Sequence, residues 1–178
     1  GLLAAATHVM GYTITVSPIE IEAGQSTNLI INLSNTETNL TAYQMSLYLP
    51  AGVTVKKSKG KYSYTSNSNR LNPDLFTVTV KDAADGSILI AVFSSDKNVI
   101  TGTSGELIRL PIEVASTVTS SLQGSIKNIE FTDVNTQAHK VSDISFYLTY
   151  KQSGSDNFTI TVTASPANGG TVLGGGSY

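Results

Sequence analysis

The sequence predicts an all-β fold, an antiparallel β-sandwich, on three observations. Apolar and polar side chains alternate with a period of two in segment after segment from residue 12 to residue 150, which puts one set in a core and the other in water. Clusters of Gly, Pro, Asp and Asn separate these segments at the spacing of sandwich strands. No stretch sustains the 3.6-residue period of a helix. At 178 residues the chain can hold one such domain and a short appendage.

The elements follow in order. Thr13 and Thr15 alternate with Ile14 and Val16, and the pattern resumes over 19–22, so 12–22 is one strand interrupted near Pro18. Ala23-Gly24-Gln25-Ser26 supplies turn residues, and 27–34 closes an opening hairpin. Over 40–49, Met45, Leu47 and Leu49 alternate with Gln44, Ser46 and Tyr48 up to the turn Pro50-Ala51-Gly52, and 53–55 starts another strand. Phe76, Val78 and Val80 alternate with Thr77, Thr79 and Lys81, and Asp82-Ala83-Ala84-Asp85-Gly86 turns the chain into 88–93. That run is apolar throughout, which marks a central strand covered on both faces, and the segment 56–74 is available to cover it. Residues 108–114 alternate through Pro111, tolerable where its missing N–H points away from a neighbour. Residues 123–131 and 143–150 complete a set of about nine strands.

Composition narrows the partners. With 11 basic and 13 acidic residues the net charge is −2, too small a field to draw the chain to nucleic acid or an anionic membrane surface. No run approaches the roughly 18 apolar residues of a membrane span, so neither nucleic-acid binding nor membrane insertion is expected. The lack of cysteine excludes disulfides and thiolate-held metal sites. Leu2-Leu3-Ala4-Ala5-Ala6-Thr7 reads as the end of a signal-peptide apolar region followed by small residues. Residues 1–11 are therefore expected to be a leader, and the protein to be secreted or at the cell surface. A polar linker is expected over 151–157, and 158–178, where alternation restarts before Pro166-Ala167-Asn168-Gly169-Gly170, as the start of a following β module.

The order of segments resembles the cohesin family of bacterial jelly-roll modules, related in fold to several carbohydrate-binding modules. The resemblance covers most of 12–150. It is carried by 14–33 with Ala23-Gly24-Gln25 at the turn, by 42–55 with its proline turn, by 88–96 followed by Gly105-Glu106-Leu107-Ile108, and by Gly124-Ser125-Ile126 through Phe131. It implies a nine-stranded jelly roll, a non-catalytic role, and a flat sheet face that docks a protein partner such as a dockerin. The corresponding outward positions are Ala42, Gln44, Ser46 and Tyr48, with Ser95 near the family's acidic contact. Ala42 and Gln44 stand where the family carries Asn and Asp contacts. The tail over 160–172 is similar to the start of internalin-type B repeats, which implies a multi-domain, surface-attached bacterial parent.

Little in the sequence suggests catalysis. His8 lies in the leader and His139 in the polar stretch Thr136-Gln137-Ala138-His139-Lys140, where a solvated loop histidine is the expectation. No Gly-x-Ser-x-Gly elbow or phosphate-binding glycine loop is present. The acids are scattered, and none pairs by sequence for glycoside hydrolysis, so no enzyme activity is expected. Asp82 with Asp85, and Asp133 with Asn135, form oxygen-rich turns. Calcium takes about six to eight oxygens, more than either turn supplies, and Asp and Asn are ordinary turn residues. No metal or other cofactor is expected.

One segment has a composition of its own. Lys56, Lys57, Lys59, Lys61 and Arg70 fall within fifteen residues that contain no acid, leaving a balance of −7 on the rest of the chain. Tyr62 and Tyr64 stand two apart and face the same way if the backbone is extended. Tyrosine rings flanked by Lys59 and Lys61 suit an acidic or heavily hydroxylated sugar; the plainer alternative is a solvated loop with its rings packed on the sandwich edge. Three functions thus stay open: a protein-docking module using Gln44, Ser46, Tyr48 and Ser95, a polysaccharide-binding module using Tyr62, Tyr64, Lys59 and Lys61, and a spacer between surface modules. A monomer is expected in each case.

Overall fold

The computed structural model describes residues 11–152, so the expected leader up to residue 10 and the expected tail module at 158–178 lie outside the described residues. Among the described residues the chain forms strands and turns without a helix. In chain order these are β1 Tyr12–Val16, β2 Ile19–Ile21, β3 Ser26–Asn35, β4 Leu40–Tyr48, β5 Val53–Val55, β6 Lys57–Ser58, β7 Lys61–Tyr62, β8 Thr65–Ser66, β9 Thr77–Asp82, β10 Ile88–Phe93, β11 Glu106–Val114, β12 Leu122–Asp133, β13 Ala138–Val141 and β14 Ile144–Tyr150. The five shortest additions to the expected set are β2, split from β1, and β6, β7, β8 and β13.

Two sheets face each other across one core. The first runs β1-β3-β11-β5, with β8 also paired to β11; the second runs β2-β14-β12-β4-β10-β9, with β13 also paired to β12. Ile14, Leu29, Ile31, Leu33, Leu110 and Ile112 from the first sheet meet Tyr43, Met45, Leu47, Ile90, Phe131 and Leu148 from the second, all buried. The side-chain alternation that marks each strand in the sequence is thus the alternation between core and exterior.

Residues 12–22 are not one interrupted strand. β1 pairs antiparallel with β3, whereas β2 pairs parallel with β14 in the opposite sheet. Ser17 N–H still reaches Ile30 O at 3.0 Å, but Pro18 has no N–H with which to extend the ladder, and there the chain crosses between sheets. Pro111 obeys its own constraint. Its carbonyl accepts from Lys56 N–H at 2.9 Å, and its missing N–H lies on the same side of β11, between the stretches that pair with β8 and with β5.

Residues 88–93 are not covered on both faces. Ile88, Ile90 and Val92 are buried, but Leu89 and Ala91 are only partly covered and Phe93 is 49% exposed. The segment 56–76 instead crosses from β5 in the first sheet to β9 in the second, closing one side of the sandwich. On its way β6 and β7 form a hairpin, β8 adds to β11, and Leu71 and Phe76 enter the core. His139 is likewise not in a loop: it belongs to β13, opposite Phe131.

Close packing is evident at Gly124, which faces Phe146 across the β12–β14 pair. A Cβ built on Gly124 would lie 2.5 Å from the Phe146 ring, and that ring is itself buried. Gly124→Ala is expected to destabilise the domain by about 1–3 kcal/mol, as overpacked cores do, measurable as a lower urea midpoint.

Candidate functional site

The second sheet turns its outer face to solvent, and strand register sorts that face into rows. Thr77, Phe93, Ala42 and Thr132 form the first; Thr79, Ala91, Gln44 and Glu130 the second; Lys81, Leu89, Ser46 and Lys127 the third; and Tyr48, Ser125 and Ser145 the fourth. Chemistry therefore changes along the strands, from a row of small side chains around Phe93, through Gln44 and Glu130, to two lysines and then Tyr48. The four outward β4 positions are as the alternation predicts: Gln44 is exposed, and Ala42, Ser46 and Tyr48 are partly covered. Ser95 is exposed but sits in the turn after β10, beyond the first row.

Tyr48 and Ser46 are held in place. Tyr48 Oη donates to Asp85 Oδ2 at 2.7 Å, and Lys127 Nζ lies 5.3 Å from the Tyr48 ring centroid. The Ser46 hydroxyl accepts from Asn128 Nδ2 at 3.3 Å. Asn128 occupies a bulge in β12, with φ of 54°, and the extra residue aims its side chain outward. Asp85 accepts from the Ser87 hydroxyl at 2.6 Å and from Ser87 N–H at 3.0 Å. The Ser87 hydroxyl, then Tyr48, then that N–H hold the Asp85 carboxyl down at about 2.

A second surface lies where the β6–β7 hairpin meets β9, the end strand of its sheet. There a groove of about 450 Å³ is lined by Lys57, Lys61, Tyr62, Tyr64, Lys81 and Asp82 over the backbone of 78–80. Tyr62 and Tyr64 do share this groove, as their spacing predicts. Tyr62 is partly buried against the core edge, its hydroxyl donates to Asp82, and Lys57 Nζ stands 4.7 Å from its ring centroid. The bond to Asp82 is the main cause that pushes the Tyr62 phenol up to about 12. Tyr64 is the freer ring, 40% exposed. Lys59, at the hairpin tip with φ of 54°, is not among the lining residues; Lys57 and Lys81 are.

Arg70 does not belong to this basic surface. It is 5% exposed, and its guanidinium spends every donor inside the protein. Nε donates to Thr101 O, Nη1 to Leu33 O and Gly105 O, and Nη2 to Asn35 Oδ1 and Gly102 O, at 2.6–3.1 Å. Among the described residues no carboxylate pairs with it, and burial lowers its pKa, yet a guanidinium stays charged.

The acidic turns separate. Asp82 serves the groove and Asp85 the outer face. Asp133 is buried, its Oδ1 accepting from Asn135 N–H and Gln137 N–H at 2.8 and 3.0 Å, while His139 Nε2 donates to Oδ2 at 2.8 Å. Among the described residues no group of three or more His, Asp or Glu is placed to hold a metal ion. The contacts missed by sequence reasoning are Phe93, Lys81, Asp82 and Asp85: Tyr48 finds its acid 37 residues away and Tyr62 its acid 20 residues away, separations that carry no local signal.

No protein family matches the chain by sequence profile, and no curated protein matches it in sequence. Solved structures do resemble it. A cohesin module from a Clostridium perfringens family 33 glycoside hydrolase superposes with a TM-score of 0.60 at 15% identity, over 80% of this chain and 96% of that one. A non-cellulosomal cohesin from Archaeoglobus fulgidus gives 0.60 at 17%, over 83% and 96%. A chain of a type I cohesin–dockerin complex from Clostridium thermocellum gives 0.61 at 12%, over 80% and 100%. At such identities the likeness shows the fold: an all-β jelly-roll sandwich of the cohesin kind.

Proposed function

We propose that this chain is a non-catalytic docking module of an exported bacterial surface protein, and that it takes a protein partner on the outer face of its larger sheet. The observation that carries this reading is Phe93, half exposed in a row of small side chains and bordered by Gln44 and Glu130, with the fixed Ser46 and Tyr48 two and three rows farther along the same face. An aromatic anchor inside a polar surround is the usual build of a binding hot spot. The solved complex of a similarly folded cohesin with a dockerin supports a dockerin-like partner; the apolar, small-residue leader sequence supports export.

The test is isothermal titration against a panel of dockerins from Clostridium thermocellum and Clostridium acetobutylicum. At least one is expected to bind, and Phe93→Asp is expected to weaken it about 30-fold or more, the scale of an anchor worth about 2 kcal/mol, while leaving the unfolding midpoint nearly unchanged. Binding untouched by Phe93→Asp and by Tyr48→Ala would move the site elsewhere. A panel without a single binder would leave the spacer role standing.

A further inference from the structure

The groove between the β6–β7 hairpin and β9 lies at the β9 edge of the second sheet, takes Thr79 and Lys81 from that sheet's outer face, and includes none of Phe93, Gln44, Glu130, Ser46 and Tyr48, on which the docking reading rests. We infer that it binds an anionic glycan chain, of the kind built from uronic acids. Three features converge on that chemistry.

The first is charge. Lys57, Lys61 and Lys81 reach the groove from three strands, β6, β7 and β9, and Asp82 is the only acid among the lining residues. That acid is already engaged by the Tyr62 hydroxyl and by Lys57 at 3.9 Å. Lys61 and Lys81 are exposed and enter none of the ion pairs found among the described residues. An anion placed here meets two lysines, Lys61 and Lys81, that pair with no acid among the described residues.

The second is the pair of rings. Tyr62, fixed at its hydroxyl and by the ammonium over its ring, is a rigid wall, and Tyr64 beside it keeps an open face. Flat amphipathic rings give large contact area at small rotamer cost and suit the apolar faces of sugar rings. The third is the floor. β9 ends its sheet, so alternate backbone N–H and C=O groups along it point away from β10 and offer hydroxyl groups both donors and acceptors. A chain that is flat, hydroxylated and negatively charged at intervals satisfies all three at once, whereas an acidic peptide would use the lysines and leave the rings idle.

The experiment is affinity electrophoresis and calorimetry of the 178-residue chain with oligogalacturonate, with cellohexaose as the neutral control and poly-glutamate as the charged one. Oligogalacturonate is expected to bind at low salt, more tightly than either control. Tyr64→Ala, and separately Lys61→Ala with Lys81→Ala, are each expected to weaken it at least tenfold. These are surface positions, and an unchanged unfolding midpoint confirms that the fold persists. Phe93→Asp is expected to leave glycan binding intact, which separates this inference from the docking site. Failure of oligogalacturonate to bind, equal binding of poly-glutamate, or an unchanged affinity in Tyr64→Ala overturns it.

Discussion

Arg70→Met is expected to destabilise the domain by about 3–5 kcal/mol, the range seen when a buried charged group loses its counterpart or leaves its partners unsatisfied. The guanidinium gathers three separate pieces of chain: Leu33 and Asn35 at the end of β3, Thr101, Gly102 and Gly105 before β11, and its own segment from the sandwich's closed side. Asn35 is completed by the same cluster, its amide donating to Glu37 O and Gly102 O at 2.8 and 3.0 Å. Methionine fills most of the volume and returns none of these bonds. Arg70→Lys is expected to recover little, because an ammonium has three donors and no planar fork. Urea unfolding at an unchanged m-value is the measurement; a loss below about 1 kcal/mol would mean that the five acceptors find water as readily as they find the arginine.

Asp133→Ala ranks second, with an expected loss of about 1.5–3 kcal/mol, the range for hydrogen bonds to a charged group, since it removes the buried carboxylate that accepts from Asn135 N–H, Gln137 N–H and His139 in an otherwise exposed turn. The same carboxylate makes stability fall in acid. Chiefly the His139 bond, then the Gln137 N–H, hold the Asp133 carboxyl below the usual carboxylate range, and Asp85 is held at about 2. A carboxyl whose pKa is depressed on folding stabilises the native state above its unfolded value of about 3.9, and that contribution disappears as pH falls through the folded value. The urea midpoint of the wild type is therefore expected to drop between about pH 4 and pH 2, and the drop to be shallower in Asp85→Asn and in Asp133→Asn. Parallel pH profiles for wild type and both variants would contradict it.

Alternation made the long strands legible, because a half-buried strand writes its burial directly into every second residue. The short ones left no such trace. β6, β7 and β8 are two residues each, and β13 offers one sizeable apolar residue, Val141, beside Ala138, His139 and Lys140. Residues 88–93 mislead for a related reason: an apolar run is compatible with two covered faces, and Phe93 is exposed because none of the described residues crosses the outer face there. Arg70 reads with the surface lysines because charge is visible in a sequence and burial of a charge is not; its acceptors are mainly backbone carbonyls, which every residue possesses. The outward face of β4 was readable from period alone. Its anchor at Phe93, and the acids that fix Tyr48 and Tyr62, depend on which strands become neighbours.

The crossing at Pro18 also has a mechanical side. β2 runs in the same direction as β14, with Ile19 beside Leu148 and Ile21 beside Tyr150, while Tyr12 of β1 lies against His139 and Lys151 N–H bonds Ile21 O just past the end of β14. Tension between the two flanks of the domain thus pulls β2 and β14 lengthwise past each other. Their hydrogen bonds share such a load and must fail together, whereas a hairpin peeled from its tip gives way one bond at a time. A load applied between residues 12 and 151 would therefore run along these strands and not across them.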